Sequence, residues 1–239
     1  MREEWIRSAF VLGNEAMERL QNKKIILFGV GGVGSFCAEA LARIGVGTIT
    51  LVDPDAVSVS NINRQLIALH STVGRNKAEV MKERIADINP DANVTALPVF
   101  YLPENADTID LASYDIIIDA IDTVSAKIEL VVRANTLNIP ILCAMGTGNK
   151  MHPEKLVATD LAQTKMCPLA RVMRRELKAR GISHLRVVYS EETPILRHAD
   201  YADYNEDSGK RGVPGSISFV PSAAGLLLAS EAVRILLEK

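Results

Sequence analysis

Cysteine is scarce in this sequence, and the few cysteines stand far apart. The chain has 239 residues and three cysteines, Cys37, Cys143 and Cys167, with no CxxC pair among them. This spacing argues against a disulfide framework and against a cysteine-rich zinc site, and it fits the reducing cytoplasm. We therefore expect a cytoplasmic protein that holds no zinc. Cys37 and Cys143 are expected to be buried as small apolar side chains.

Strong charge and long apolar runs are also missing. The net charge of −2 argues against a generally basic nucleic-acid binder, although it leaves room for a local basic patch. The first residues lack the apolar core of a signal peptide, and the apolar run over residues 223–229 is too short to span a bilayer. With 48% hydrophobic and 23% charged residues, the composition predicts a soluble globular protein with no membrane partner.

The sequence does contain a regular alternation of apolar strands and helices, which weakens after Met145. Near-continuous apolar strands separated by helices are typical of a buried parallel sheet. We therefore predict an α/β fold, a Rossmann-like, doubly wound and mostly parallel sheet with an N-terminal helix and a C-terminal extension of helix and loop. The predicted strands cover residues 24–28, 48–52, 94–99, 114–118 and 139–143, and the predicted helices cover residues 3–20, 35–43, 77–88, 126–137 and 223–237.

A glycine-rich turn lies between the first apolar strand and the following helix. Gly29, Gly31, Gly32 and Gly34 let the backbone turn tightly and approach a phosphate, which the helix N-terminus also attracts. Asp53 ends the second predicted strand, where a carboxylate can bind ribose hydroxyls. The pattern predicts a nucleotide site, and the alternative is a turn that only permits close packing of strand and helix.

Polar residues after the second strand suggest a triphosphate. Asn61, Arg64, Gln65 and Lys77 follow one another closely, and Arg and Lys both neutralise phosphate oxygens. Such neutralisation is the main requirement of nucleotidyl transfer. The alternative is that Arg64 and Lys77 are solvated surface charges.

Two carboxylates close a later strand, at the edge where open α/β sheets bind ligands. Asp122 stands at the junction of strand and helix and is the better candidate for holding Mg²⁺ beside a triphosphate. It could instead be the N-cap of the helix. Asp119 could be a structural hydrogen-bond acceptor.

These motifs resemble a known superfamily when they are taken together. The segments 29–34, 52–55, 60–65, 73–77 and 119–122 resemble the ubiquitin-activating-enzyme-like superfamily, which includes the ThiF and MoeB adenylyltransferases. The resemblance is closer to its branch of tRNA threonylcarbamoyladenosine dehydratases, and it covers nearly the whole chain apart from residues 197–212. The segments that carry it are 101–107, 148–150, 159–162, 168–177 and 214–221.

The resemblance implies a role for each matching residue. Arg64, Lys77 and Asp122 would be catalytic, with Asp122 holding Mg²⁺, and Arg7 would reach the nucleotide of the other subunit in a homodimer. The implied ATP-binding residues are Gly29, Gly31, Gly32, Gly34, Asp53, Asp55, Asn61, Arg64, Gln65, Lys77 and Asp122. Arg7 could instead be a solvated helix charge.

The resemblance also implies a reaction. ATP would activate the carboxylate of threonylcarbamoyladenosine in tRNA as an acyl adenylate, and ring closure would release AMP. The alternatives are an adenylyltransferase for a ubiquitin-fold sulfur carrier, a nicotinamide-dependent oxidoreductase and a non-catalytic nucleotide-binding protein. The missing CxxC pairs count against the first of these, and a sulfur-relay protein is a further candidate partner.

The last expectations concern the region after the core. We expect one domain over residues 1–239, with an N-terminal helix over 1–22, a nucleotide-binding core over 23–145 and a substrate and dimer region over 146–239, including a mobile loop at about 194–214. Cys167 stands where related sequences often have Asp, and we interpret it as a substitution rather than a nucleophile. A helical face could contact tRNA phosphates or be an ordinary solvated face. That face carries Arg171, Arg174, Arg175 and Lys178.

Overall fold

The strands of this protein form one sheet that is parallel except at one edge. The computed structural model describes residues 2–201 and 214–238. The strand order is β3-β2-β1-β4-β5-β7-β6, and every neighbouring pair is parallel except β6 and β7. The strands are β1 (Lys24–Phe28), β2 (Thr48–Val52), β3 (Asn93–Leu97), β4 (Ile116–Asp119), β5 (Ile141–Ala144), β6 (Leu156–Asp160) and β7 (Arg186–Ser190). The predicted α/β class and mostly parallel sheet are confirmed.

Helices cover both faces of the sheet. They are α1 (Ile6–Leu12), α2 (Asn14–Gln21), α3 (Gly34–Arg43), α4 (Lys77–Ile88), α5 (Val124–Leu137), α6 (Pro168–Lys178) and α7 (Phe219–Glu238). Short 3-10 helices lie at Glu3–Trp5, Val59–Asn61, Pro103–Thr108, Leu111–Ser113, Pro153–Lys155, Leu161–Gln163 and Ala199–Tyr201.

Strand β1 is buried on both faces, as the apolar run in the sequence requires. Ile25 and Leu27 belong to the hydrophobic cluster that includes α3, α4 and α7, whereas Ile26 and Phe28 belong to the cluster under α5. Successive side chains of a strand point to opposite faces, so one strand supplies both cores. A third cluster lies around α6 and β7.

The strand order fixes where a ligand can bind. From β1 the chain moves outward to β2 and β3, then returns to place β4 on the other side of β1. The loops that follow β1 and β4 therefore diverge at the carboxyl ends of these two strands. Such a switch point leaves a crevice in open α/β sheets. The glycine turn and Asp122 both lie there.

The structure corrects the predicted N-terminal helix over residues 3–20. Gly13 has a φ of 84° and ends α1, so that α2 begins anew at Asn14. A left-handed residue breaks the helical hydrogen-bond ladder, and glycine adopts this conformation without a steric penalty.

The structure contains two strands after Met145 that the sequence did not predict, β6 and β7. Strand β6 pairs antiparallel with β7 at the sheet edge, and all of its residues are only partly buried. The predicted mobile loop at about 194–214 falls partly outside the described residues, which stop at 201 and resume at 214.

Helix α7 is longer than the apolar run over residues 223–229 suggested. It has 20 residues with a mean hydropathy of 1.5, so by length and composition alone it could cross a membrane, and it is the one such helix in the described residues. Its apolar side chains Ala224, Leu228 and Ala232 are fully buried in the core that includes α3. A Cβ at Gly225 would lie 2.3 Å from the carbonyl oxygen of Val33. The prediction of a packed helix is confirmed, while the prediction that it is too short is wrong.

Candidate functional site

A cleft of about 500 Å³ opens at the carboxyl ends of the parallel strands. It brings together most of the residues that the sequence predicts for a nucleotide site. Predicted residues in its lining are Gly29, Gly31, Gly32, Asp53, Asp55, Asn61, Arg64, Gln65, Lys77 and Asp122. Two predicted residues, Arg7 and Gly34, lie outside this lining.

The glycines of the turn divide into two kinds. Gly29 has a φ of 88°, and a Cβ there would lie 2.7 Å from the carbonyl oxygen of Ala120. A Cβ at Gly34 would lie 1.8 Å from the carbonyl oxygen of Gly29. At Gly31, by contrast, the nearest atom is 3.8 Å away, on the side chain of Gln65. Gly29 and Gly34 therefore permit close packing of the chain, while Gly31 lines the cleft without a close backbone contact.

Asp53 ties the end of β2 to the glycine turn. Its carboxylate accepts hydrogen bonds from the backbone N–H of Val30, at 2.6 Å, and of Asp55, at 2.9 Å. Burial raises the pKa of Asp53, and the nearby positive charge of Lys77 opposes this rise. A ligand hydroxyl that donates to this carboxylate would favour its charged form in the same way.

Lys77 supplies a nearly buried positive charge. It is the first residue of α4, which begins after the N-cap Asn76, whose side chain accepts from the N–H of Glu79 at 3.2 Å. The ammonium group lies 2.8 Å from the carboxylate of Asp55, with side-chain exposures of 8% for Lys77 and 62% for Asp55. The lysine is thus fixed in the cleft wall, while its acidic partner remains open to solvent and to a ligand.

Arg64 brings a second positive charge that has no acidic partner in the described part of the chain. Its guanidinium donates to the carbonyl oxygen of Ser60 at 2.8 Å and to the side-chain oxygen of Asn63 at 2.9 Å. Neutral acceptors orient the group without cancelling its charge. Arg64 is therefore suited to bind an anion in the cleft.

Two buried amides complete this wall. The side-chain oxygen of Asn61 accepts from the backbone N–H of Ser58 at 3.1 Å, which holds the short 3-10 helix. The side-chain oxygen of Gln65 is buried and accepts no hydrogen bond within the described residues. An unpaired buried acceptor at a cleft is a position where a ligand donor would restore the missing bond.

Asp122 is exposed in the cleft lining and forms no hydrogen bond or ion pair within the described residues. The N-cap position of α5 belongs to Thr123, so the alternative role of Asp122 as the N-cap is wrong. Asp119 is fully buried and accepts from the N–H of Ile121 at 3.2 Å, as expected of a structural acceptor. A free carboxylate facing a polyphosphate is the usual protein ligand of Mg²⁺.

Sequence reasoning missed the apolar end of the cleft. Val99, Phe100 and Tyr101 follow β3, and the ring of Tyr101 packs edge-on against Phe28 with centroids 4.9 Å apart. This end could hold a planar base. The only available signal was an aromatic pair directly after a predicted strand.

Two other predicted features have mainly structural contacts. Cys167 is the N-cap of α6, and its sulfur accepts from the N–H of Ala170 at 3.5 Å, a position that Asp also favours. Arg174 donates to the carbonyl oxygen of Thr164 at 2.7 Å, and Arg175 pairs with Glu176. The remaining charges of that face, Arg171 and Lys178, are exposed. In the described ranges, no three His, Cys, Asp or Glu side chains form a metal-binding group.

Comparisons with known proteins agree with this geometry. The model of the ThiF family matches residues 5–239. The tRNA threonylcarbamoyladenosine dehydratase of Bacillus subtilis is 42% identical over 100% of this chain and 96% of its own length. The molybdopterin-synthase adenylyltransferase of Salmonella typhimurium is 34% identical, but over only 61% of this chain and 57% of its own.

A solved structure extends the similarity to the fold. The Escherichia coli tRNA N6-threonylcarbamoyladenosine dehydratase, TcdA, in complex with ATP, superimposes with a TM-score of 0.88 at 34% identity, covering 99% of this chain and 95% of TcdA. The expected Rossmann-like architecture and the expected superfamily are both confirmed. With a family match over nearly all its residues, the chain belongs to the ThiF family.

Proposed function

We propose that this protein is an enzyme that uses ATP to dehydrate threonylcarbamoyladenosine in tRNA to its cyclic form. The observation that carries the proposal is the similarity over the full chain to a dehydratase of this name, together with the structure of such an enzyme bound to ATP. The cleft supports it because it joins open glycine backbone, two cations and a free carboxylate at one switch point.

The residues of the cleft suggest how ATP is held. Gly31 leaves the backbone accessible to phosphates beside the start of α3, and the N-terminus of a helix favours anions. Gly32 packs closely against Pro221 and the backbone of Arg64. Lys77 and Arg64 neutralise the charge that develops when the α-phosphorus is attacked. Asp53 is placed to accept from a ribose hydroxyl, and Asp122 fits the role of magnesium ligand. When bound, Mg²⁺ would supply charge neutralisation on the phosphate oxygens.

The proposed reaction has two steps. A carboxylate oxygen of the substrate attacks the α-phosphorus of ATP, and pyrophosphate leaves. The ureido group of the same substrate then attacks the activated carbonyl carbon and loses a proton, the ring closes, and AMP leaves with the former carboxylate oxygen. The net change is loss of water from the nucleoside, driven by conversion of ATP to AMP and pyrophosphate.

The quaternary structure and location are part of the proposal. We propose a cytoplasmic homodimer in which Arg7 reaches the nucleotide of the other subunit. This is supported by the position of Arg7 on α1, where it is exposed and does not line the cleft of its own chain. Phe10 and Val11 on the same helix are about four-fifths exposed, at 80% and 81%, which suits an interface between subunits.

The test is a mass-spectrometric assay. Purified protein, ATP, Mg²⁺ and tRNA that carries threonylcarbamoyladenosine should yield the cyclic nucleoside and an equal amount of AMP. The same tRNA without the modification should yield neither. If the modified tRNA gives no cyclic nucleoside while the protein binds ATP, the proposal is wrong.

A second candidate function is activation of a ubiquitin-fold sulfur carrier, which the similarity to the molybdopterin-synthase adenylyltransferase favours. Exchange of pyrophosphate into ATP that depends on a carrier ending in Gly-Gly would support it. The absence of CxxC pairs from the sequence counts against it.

A further inference from the structure

A buried ion pair lies directly behind the cleft. The ammonium group of Lys127, on α5, is 2.8 Å from the carboxylate of Asp119, the last residue of β4, and both side chains are 0% exposed. Neither residue lines the cleft. Removing two charges from water costs solvation free energy. Since this pair does not line the cleft, ligand binding by these side chains does not explain its burial.

The pair holds both polar backbone groups of one residue. The carboxylate of Asp119 accepts from the N–H of Ile121 at 3.2 Å, and the ammonium of Lys127 donates to the carbonyl oxygen of Ile121 at 3.1 Å. The next residue in the chain is Asp122, the free carboxylate of the cleft. The two charges therefore fix the peptide from which Asp122 projects.

The same turn rests on the glycine turn. The N–H of Ala120 donates to the carbonyl oxygen of Phe28 at 2.8 Å, and the carbonyl oxygen of Ala120 approaches so closely that a Cβ at Gly29 would lie 2.7 Å from it. The Asp122 turn therefore packs against the first residue of the glycine turn, on the side away from Gly31. The ion pair, the Asp122 turn and the glycine turn form one continuous set of contacts.

Cys143 on β5 adds a third contact to the pair. Burial raises the pKa of its thiol, and the negative charge of Asp119 beside it acts in the same direction. The thiol therefore stays protonated and adds no second negative charge beside Asp119.

A contribution to the stability of the fold is a weak explanation for this buried ion pair. Replacing both members of a buried ion pair by apolar residues is often neutral or stabilising, whereas removing one member is costly because it leaves an unpaired charge. We propose that Lys127 and Asp119 are positioning residues, which aim the Asp122 carboxylate at the metal and phosphates of bound ATP. This rests on the proposed function only in taking Mg-ATP as the ligand.

The test compares single and double variants by calorimetry and thermal unfolding. Lys127→Met alone should lower the Tm by roughly 10 °C. The double variant Lys127→Met with Asp119→Leu should regain most of that loss. Its affinity for ATP without Mg²⁺ should match the wild type, while the gain in ATP affinity on adding Mg²⁺ should fall by at least about tenfold. A double variant that binds Mg-ATP like the wild type would overturn the proposal.

Two further variants test whether the effect on Mg²⁺-dependent affinity is specific to the pair of Lys127 and Asp119. Lys23→Met removes a different cation from an ion pair, 3.1 Å from Asp115, just before the other end of β4, and should leave the effect of Mg²⁺ on ATP affinity unchanged. Lys127→Arg keeps a buried cation but replaces a compact ammonium by a planar fork, so it should reduce that effect about fivefold even if the double variant does not fold. An unchanged effect in Lys127→Arg would also count against the proposal.

The measurements of ATP affinity and of thermal unfolding do not use tRNA. Failure of the wild type to form the cyclic nucleoside, with normal Mg-ATP binding, would contradict the proposed function and leave this inference standing. Failure of the double variant to lose Mg²⁺-dependent affinity would contradict only the inference.

Discussion

The half of the chain from β1 to β5 and the half after β5 are held together by different kinds of contact. From β1 to β5 the chain forms parallel strands, and the cleft depends on close backbone approaches such as that of Gly34 to Gly29. Beyond β5 the sheet ends in the antiparallel, half-buried β6, and loops are held by side chains. Asn149 is the main example in this second half.

Asn149 links three separate segments. It has a φ of 57°, donates its N–H to the carbonyl oxygen of Gly215 at 2.7 Å and accepts the N–H of Gly215 on its side chain at 2.6 Å. Its own carbonyl oxygen accepts from the N–H of Ile195 at 2.7 Å. Pro214 and Ser216, on either side of Gly215, line the cleft. The nucleotide side of the cleft therefore tolerates little change in backbone, whereas its outer edge is held by side-chain amides, of Asn149 to Gly215 and of Asn63 to Ser216.

The largest effect should come from glycine substitutions in the first half. Gly34→Ala places a Cβ 1.8 Å from a backbone oxygen, so we expect a loss of more than about 3 kcal/mol in the free energy of unfolding. The Cβ of Gly31→Ala makes only an ordinary contact with the side chain of Gln65, 3.8 Å away, so this variant should keep the wild-type Tm while weakening ATP binding. Denaturant unfolding and calorimetry separate the two results. A stable Gly34→Ala protein would show that the turn is not as tightly packed as described.

The second largest effect is expected from substitution of Lys77, and it concerns the rate of AMP formation. Lys77→Met should reduce the rate of AMP formation by roughly 10²–10³-fold, because it removes the cation that neutralises phosphate charge, while the Tm changes little. Lys82→Met, an exposed position on the same helix, is the matched control and should be active. A large fall in Tm for Lys77→Met with little loss of rate would assign Lys77 to the fold instead.

The smallest effect should arise in the second half. Asn149→Gly keeps the left-handed backbone but loses the side-chain hydrogen bond to Gly215, so we expect the KM for tRNA to rise by about tenfold, which corresponds to one neutral hydrogen bond. Asn138→Gly, at a left-handed C-cap remote from the cleft, is the control. If both variants have the same KM for tRNA, the two halves do not differ in the way proposed.

Much of the first half could be predicted from the sequence. Helix α4 has the predicted bounds, because Asn76 caps its start and Asn89-Pro90 ends it, and β2 also lies where the apolar run placed it. Ten of the predicted nucleotide-site residues line one cleft, since the ends of parallel strands share one edge of the sheet.

The features that the sequence did not predict depend on contacts between distant segments of the chain. Gly13 stands in a helical pattern whose periodicity continues across it, so only the tertiary structure shows that its φ is positive. Strand β6 is half-buried along its length and therefore lacks the apolar signature of a central strand. Lys127 looks like an ordinary helix lysine in the sequence, and its complete burial follows from Asp119 beneath it.

The scarcity of cysteine has a practical consequence for spectroscopy. All three thiols are free and buried, with exposures of 0% for Cys37, 0% for Cys143 and 4% for Cys167. In the folded protein they should react slowly with maleimide reagents, since such reagents require an accessible thiolate. A cysteine introduced on an exposed loop could therefore be labelled selectively without removing the native ones. If that loop lies at the outer edge of the cleft, a fluorophore on it would report changes at this edge without altering the residues of the nucleotide side.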